Sequence, residues 1–220
     1  MDITGANFLA TGGNDLDLQQ IGVAEGFRKT GTDWIKLYDP LTGTYMFAYY
    51  WDELYEREED EDPIPDLEGW GDAGGTIIRG VTVSAGRGFW IKAKNKSGLT
   101  VSGQVAGEDD GEIATIANTM DIVCNPYPID IDLQSLKVGE GFRKTGTDWV
   151  KIYDKETGSY TFAYYWNELY EREEDEDPIP DLEGWGDAGG TILRGITIKA
   201  GQGIWVKSKN KASLVFPSPL

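Results

Sequence analysis

Carboxylates are the reactive groups this chain offers in quantity, and they arrive twice. The stretch FAYYWDELYEREEDEDPIPDLEGWGDAGGTI runs from Phe47 to Ile77 and recurs from Phe162 to Ile192 with one change, Asp52 to Asn167. Residues 52–72 hold 11 carboxylates against one arginine, and residues 167–187 hold 10 against one. Two carboxylates at a set separation can hydrolyse a glycosidic bond, and dense oxygen ligands suit calcium. Here the acids form a crowded string with no pair singled out, and a whole active site duplicated in one chain would be unusual. No catalytic residue is assigned. EEDEDP also lacks the spaced Asp/Asn/Gly pattern of an EF-hand loop. Asp60, Asp62, Asp175 and Asp177 are the calcium candidates, with no other cofactor expected. Histidine is absent, which removes Ser–His and Cys–His designs and most zinc sites. The chain reads as a non-enzyme.

The formal charge is −18, and the two acidic segments carry −10 and −9, so the remainder of the chain stands at +1. General salt adaptation would scatter acid over the surface; here it belongs to two local elements. Nucleic acid is excluded as a partner, because phosphate binding needs a basic footprint. The plain reading of such a run is a solvated charged segment. Against it, 25 consecutive residues (53–77 and 168–192) are unchanged while neighbouring turns have drifted, as in YDPLTG against YDKETG. Gene conversion could leave that pattern; otherwise the segment makes specific contacts.

The elements that must position these groups come as two copies. From Asp17 and Asp132 onward the offset is a constant 115 residues, with 61 identities in the 80 positions of 17–96 against 132–211, and all eight tryptophans pair. A period this long implies two tandem folded domains: 1–105 and 113–220, joined by AGEDDGE (106–112) as an exposed linker. DWIKLYDPLTGTYMFAYYW reads as a hairpin. Its second run places Tyr45, Phe47, Tyr49 and Trp51 on one face, and because Met46 becomes Thr161 on the other, the aromatic face is the expected core. In FWIKAK the residues Trp90, Lys92 and Lys94 share a face, repeated as Trp205, Lys207 and Lys209. That face is expected to be wet or covered from outside the sheet, and Trp34, Lys36 and Tyr38 repeat the arrangement. Strands this short and so often interrupted indicate an all-β chain of two homologous antiparallel β-sandwiches. Each copy carries a long acidic connector with room for a short helix, N-capped by Asp52 or Asn167 and stopped at DPIPD. LEGWGDAGG reads as a glycine-rich loop.

One cysteine, Cys124, permits no intramolecular disulfide; it reads as a buried, inert thiol, with an intermolecular bridge as the alternative. No apolar run reaches membrane-spanning length. MDITGANF is no signal peptide, and Met1-Asp2-Ile3 matches Met120-Asp121-Ile122, so the numbering begins inside a repeat, as a processed or a cytoplasmic protein would. The ends also differ. EIATIANT (112–119) alternates like a strand ahead of copy two, with nothing matching it before Met1. GLTVSGQV (98–105) reads as a full closing strand, whereas SLVFPSPL is cut short by Pro217 and Pro219. Open edges near the termini are expected to pair between molecules.

VCNPYPIDIDLQSLKV (123–138) together with AGQGIWVKSKN (200–210) resembles the opening and close of β-sandwich repeats in secreted bacterial surface proteins, which read G-N-P-Y-P early and G-x-G-F-W-x-K late. The tandem layout is similar to subunits of extracellular tandem-β-motif filaments. ANFLATGGNDLDL in copy one lacks the Asn-Pro-Tyr-Pro run, and Cys124 stands where glycine is usual. The resemblance implies secretion to the extracellular space or cell surface and a structural or adhesive role. The resulting expectation is a self-assembling filament subunit. Its interface would set Glu56, Glu59, Glu171 and Glu174 of the acidic connectors against Trp34, Trp90, Lys92 and Lys94 and their mates Trp149, Trp205, Lys207 and Lys209. A carbohydrate-binding or adhesin module, with a glycan as partner, is the alternative.

Overall fold

The computed structural model describes residues 2–5, 8–9, 15–39, 43–54, 67–102, 104–105, 107, 111–169 and 182–218. The chain is all-β, built from several antiparallel sheets. Repeat one contains β1 (Asp2–Gly5), β2 (Phe8–Leu9), β3 (Leu16–Asp17), β4 (Gly22–Val23), β5 (Thr30–Asp39), β6 (Thr44–Leu54), β7 (Leu67–Gly71), β8 (Thr82–Val83), β9 (Gly88–Lys92), β10 (Leu99–Thr100) and β11 (Gln104–Val105). Repeat two contains β12 (Glu112–Ala114), β13 (Met120–Cys124), β14 (Ile131–Asp132), β15 (Lys137–Val138), β16 (Thr145–Asp154), β17 (Ser159–Leu169), β18 (Leu182–Gly186), β19 (Thr197–Ile198), β20 (Gly203–Lys207) and β21 (Ser213–Val215). The principal sheets have matching orders, β1-β9-β5-β6-β7 and β13-β20-β16-β17-β18. Short ladders pair β3 with β8, β4 with β10, β2 with β11 and β14 with β19, and β12, β21 and β15 form a three-stranded sheet.

The long hairpin β16–β17 forms where the sequence alternates, and its turn is chemically specified. Asp154 accepts hydrogen bonds from the Glu156 amide and the Thr157 hydroxyl, both at 2.8 Å, and Gly158 supplies the left-handed φ of +69°. At the other end both β5 and β16 carry a bulge. Gly31 and Gly146 adopt φ near +63° there, and a Cβ on either would stand 2.0 Å from the indole of Trp51 or Trp166. The glycine makes room for that ring. The same bend turns Asp33 and Asp148 into the interior. Asp33 accepts from the Arg28 amide (2.9 Å), from Arg28 Nε (2.9 Å) and Nη2 (2.6 Å), and from the Lys94 amide; Asp148 repeats the set with Arg143 and Lys209.

The core lies on the face of the hairpin opposite to the one expected. Ala48 and Tyr50 are buried with Leu18, Ile35, Trp70 and Phe89, and Ala163 and Tyr165 with Leu133, Val150, Trp185 and Ile204. Phe47 and Phe162 are exposed. The Met46-to-Thr161 exchange misleads because both positions are only half-buried, near the hairpin tip, where a hydroxyl still reaches water. LEGWG is a strand, not a loop. Trp70 and Trp185 on β7 and β18 are fully buried, and their indole N–H groups donate to the carbonyls of Ile21 and Leu136 at 2.7 Å. Gln19 stitches this strand in place: its amide donates to the Trp70 and Ile78 carbonyls and accepts from the Trp70 amide, as Gln134 does with Trp185 and Leu193. A polar side chain thereby satisfies backbone groups that the short ladder leaves over.

Asp52 and Asn167 lie inside β6 and β17, so neither caps a helix. The remainder of each acidic connector, with Glu56, Glu59, Asp60, Asp62, Glu171, Glu174, Asp175 and Asp177, lies outside the described residues. The ends depart from expectation too. SLV is the middle strand of its sheet, since Pro217 follows the pairing, and Gly111 and Glu112 already belong to the fold of repeat two. GLTVSGQV is broken into the separate pieces β10 and β11. Cys124 is buried, with its thiol directed at the Arg87 carbonyl and its pKa raised by burial.

Burial raises the Asp33 pKa, but the hydrogen bonds and charge of Arg28, with the Lys94 amide, outweigh it and hold the carboxyl below its ordinary 3.8. A depressed folded value stabilises the protein fully above 3.8 and loses that contribution as pH falls through the folded value. Asp33→Asn should cost about 1–3 kcal/mol near neutral pH. Urea unfolding of both proteins at neutral and at acid pH should show the gap closing below pH 3.8. A gap that is constant with pH would refute the assignment.

Candidate functional site

Register alone assembles the candidate site. Trp34 stands opposite Tyr49 and Lys92, Lys36 opposite Phe47 and Trp90, and Tyr38 opposite Tyr45. All these side chains share one face of the sheet, because facing partners point the same way. Repeat two places Trp149, Lys151 and Tyr153 against Tyr164, Phe162, Tyr160, Lys207 and Trp205 in the same register. Edge-to-face packing joins Trp34 to Phe47, Tyr45 to Trp90 and Trp149 to Phe162, with ring centroids 4.9–5.2 Å apart.

The centre of each face is a lysine in an aromatic cage. Lys36 Nζ lies 4.9 Å from the Tyr45 ring, 5.6 Å from Phe47 and 4.8 Å from Trp90. Lys151 Nζ lies 4.0 Å from Tyr160, 5.2 Å from Phe162 and 5.0 Å from Trp205. Cation–π contacts of this kind contribute about 0.5–1 kcal/mol where exposed. Lys36 and Lys151 were not among the predicted interface residues, although their place between two aromatic strands in the alternating pattern was a legible signal. Lys92 lies 5.7 Å over Trp34. Lys94 and Lys209 are exposed beyond the strand ends, contributing their backbone amides to Asp33 and Asp148.

Trp90 and Trp205 are not open to another molecule. They are 9 % and 8 % exposed and form one cluster with Ile122, flanked by Trp34, Tyr45, Trp149 and Tyr153. That cluster draws on both repeats: the cover expected from outside the sheet is the other copy. Gly88 lets Ile122 in, since a Cβ there would meet Ile122 Cγ2 at 2.1 Å. The contact is reciprocal. β9 approaches β13 as β1 approaches β20, and like strands also meet, β1 with β13 and β9 with β20. Polar groups seal its border: Tyr45 Oη donates to the Met120 carbonyl (3.1 Å), Arg87 pairs with Asp121 (2.8 Å), and the Cys124 amide donates to the Gly86 carbonyl (2.8 Å). Burial, then the Asp121 charge, pushes the Tyr45 hydroxyl up to about 12. Burial likewise raises Asp121 against the opposing pull of Arg87 and of the Ile122 and Ile116 amides.

What remains outside this contact is the far half of each face. Phe47, Phe162 and Tyr160 are 43 %, 42 % and 46 % exposed, and Lys92 and Lys207 on the same faces are exposed as well. This arrangement can stack flat rings and attract carboxylates. Among the described residues no group of three or more Asp, Glu, His or Cys side chains is placed to hold a metal ion, and no helix is long and apolar enough to cross a membrane. Comparison with protein families, with curated proteins and with solved structures finds no match.

Trp205→Ala should lower stability by about 3–5 kcal/mol, as truncation of a buried aromatic does. Phe162→Ala, on the exposed half, should cost under about 1 kcal/mol. Equal losses in chemical denaturation would contradict the division of the face into a covered and an open half.

Proposed function

We propose that the protein is an extracellular structural subunit, two tandem β-sandwich domains (1–105 and 111–220, joined through 106–110), that assembles head-to-tail into a filament or surface fibre. The observation that carries this reading is the duplicated open half-face. Each repeat presents exposed aromatic rings and lysines, and each carries the same acidic connector. A reciprocal, two-fold-like contact uses the same patch on both sides and closes on itself. The repeat-to-repeat packing around Trp90 and Trp205 therefore cannot propagate, and growth must use surfaces left over. Phe47 and Phe162 with Lys92, Lys94, Lys207 and Lys209 are the surfaces that fit, met by the acidic connectors of the next subunit around Glu56, Glu59, Glu171 and Glu174. Sheet-edge pairing would supplement that contact. Isolated surface ion pairs contribute only about 0–1 kcal/mol each, so ring burial supplies the strength and charge the register. Secretion to the cell surface is the setting the G-x-G-x-W-x-K-like close and the Asn-Pro-Tyr-Pro run support. Calcium held by Asp60, Asp62, Asp175 and Asp177 would be a modifier of the connector, not a catalyst.

The exposed rings around Lys36 and Lys151 favour one second reading, a sugar-stacking platform in a carbohydrate-binding or adhesin module. Negative-stain microscopy of concentrated protein, run beside a glycan array, separates the two. Filaments are the expected outcome. Lys92→Glu with Lys207→Glu should shorten them, and Phe47→Ala with Phe162→Ala should shorten them further while the chain stays folded by circular dichroism. A monomer that binds glycans would replace the filament reading with the second one.

A further inference from the structure

One ion pair between described residues crosses the contact between the repeats, Arg87 with Asp121 at 2.8 Å. Asp121 is 2 % exposed, and its carboxylate gathers donors from three segments. Arg87 Nη1 comes from the turn ahead of β9 in repeat one. The Ile116 amide (3.2 Å) comes from the arm of residues 111–119 that leads into β13, and the Ile122 amide (2.8 Å) from β13 itself. The backbone of the same turn is held as well. Arg87 stands opposite Val123 in an isolated bridge, and the Cys124 amide donates to the Gly86 carbonyl while its thiol points at the Arg87 carbonyl.

Repeat two shows the same turn without the charge. Gln202 stands at the place of Arg87 in the 115-residue offset, and its amide donates to the Lys199 carbonyl as the Arg87 amide does to Ser84, both at 3.0 Å. The Gln202 side chain stays within its own repeat, donating to the Tyr153 carbonyl (2.7 Å) and accepting from the Lys199 amide (2.9 Å). The turn itself therefore does not call for arginine. The reason for Arg87 lies across the contact, where a carboxylate taken out of water requires a cation or a proton. The other groups around it supply neither: Tyr45 on β6, its hydroxyl pushed up to about 12, is uncharged, Tyr38 packs beside Tyr45, and Val206 faces Asp121 from β20. A cleft of about 110 Å³ lined by Tyr38, Ser84, Arg87 and Asp121 adjoins the pair, so a proton can reach the carboxylate while the contact stays closed.

We propose that Arg87 and Asp121 form a charge latch between the repeats: with Asp121 ionised the contact stays closed only because Arg87 spans it, and with Asp121 protonated it closes without Arg87. Burial holds the Asp121 carboxyl above its ordinary 3.8 against the pull of Arg87 and the two amides. A value raised in the closed state means that protonation favours closing, so the contact tightens as pH falls through that value and leans on Arg87 above it. Opening the latch would uncover Trp90, Ile122 and Trp205, which the contact now buries. The inference goes beyond the filament reading and does not depend on it.

Cys124, the one cysteine of the chain and buried beside the pair, reports the state of the latch. The test labels the full chain with dithiodipyridine and divides each rate by that of the urea-unfolded chain at the same pH, which removes the thiolate fraction. At neutral pH Arg87→Gln, the residue repeat two carries, should speed labelling at least roughly tenfold, as unpairing a buried charge does. As pH is lowered towards 3.8, the ordinary aspartate value, the protection of Arg87→Gln should return. Asp121→Asn should be protected at neutral pH at least as well as the natural chain, and Arg87→Gln with Asp121→Asn should recover that protection. Were Arg87→Gln to unfold outright, recovery of both fold and protection in the double variant would still support the latch, since lost packing is not restored by removing a second charge. Arg87→Gln labelling at the natural rate at neutral pH would overturn the proposal. So would a double variant as open as Arg87→Gln, or a rate for Arg87→Gln that does not change with pH.

Discussion

The constraint on which the rest depends is that the long hairpin of each repeat is apolar on both faces. β5–β6 carries Ile35, Leu37, Ala48 and Tyr50 on one side and Trp34, Tyr45, Phe47 and Tyr49 on the other. A lone sheet of this kind can bury only one face in its own core. The other must meet water or another surface. The molecule resolves this by setting the second faces of the two repeats against each other around Trp90, Ile122 and Trp205, which is why the repeats associate through their sheets and not through a linker alone.

Much of the local structure serves that arrangement. The bulge at Gly31 lets Trp51 lie flat over the backbone while Asp33 turns inward to gather the Arg28 and Lys94 donors. Gln19 and Gln134 hold the tryptophan strands that close each interior. Small residues admit the partner at its border: Gly88 receives Ile122, and a Cβ on Gly86 would stand 2.2 Å from Ile113 Cδ1. Ile113 therefore touches both repeats, so the arm that closes one core also braces the contact between them.

The lysines on the second face have a physical role of their own. A fully aromatic strip would leave a large apolar patch exposed on each repeat, a liability for non-specific association. Lys36 and Lys151 lie across the rings and keep their ammonium groups near water. The strip can then remain partly open without collapsing onto any apolar surface, and carboxylates become its natural complement.

The sequence alone was enough to establish duplication, the all-β class, the hairpins and the grouping of tryptophan with lysine on one face, because period-two alternation and a 115-residue offset are local, one-dimensional signals. It could not say which face of the hairpin is the core. Tyr45, Phe47, Tyr49 and Trp51 are more aromatic than Met46, Ala48 and Tyr50, yet it is Ala48 and Tyr50 that share the interior with Trp70 and Phe89, a matter of shape across distant strands. LEGWG also eluded sequence reasoning, since its glycines mark a loop locally while their lack of a side chain is what lets Leu54 and Gln19 close in on the strand. The cover over Trp90 and Trp205, and the place of Ile113 beside Gly86, depend on how two similar sheets meet. Tertiary structure alone decided those, because burial is a property of what lies opposite a side chain and the sequence records only what lies beside it.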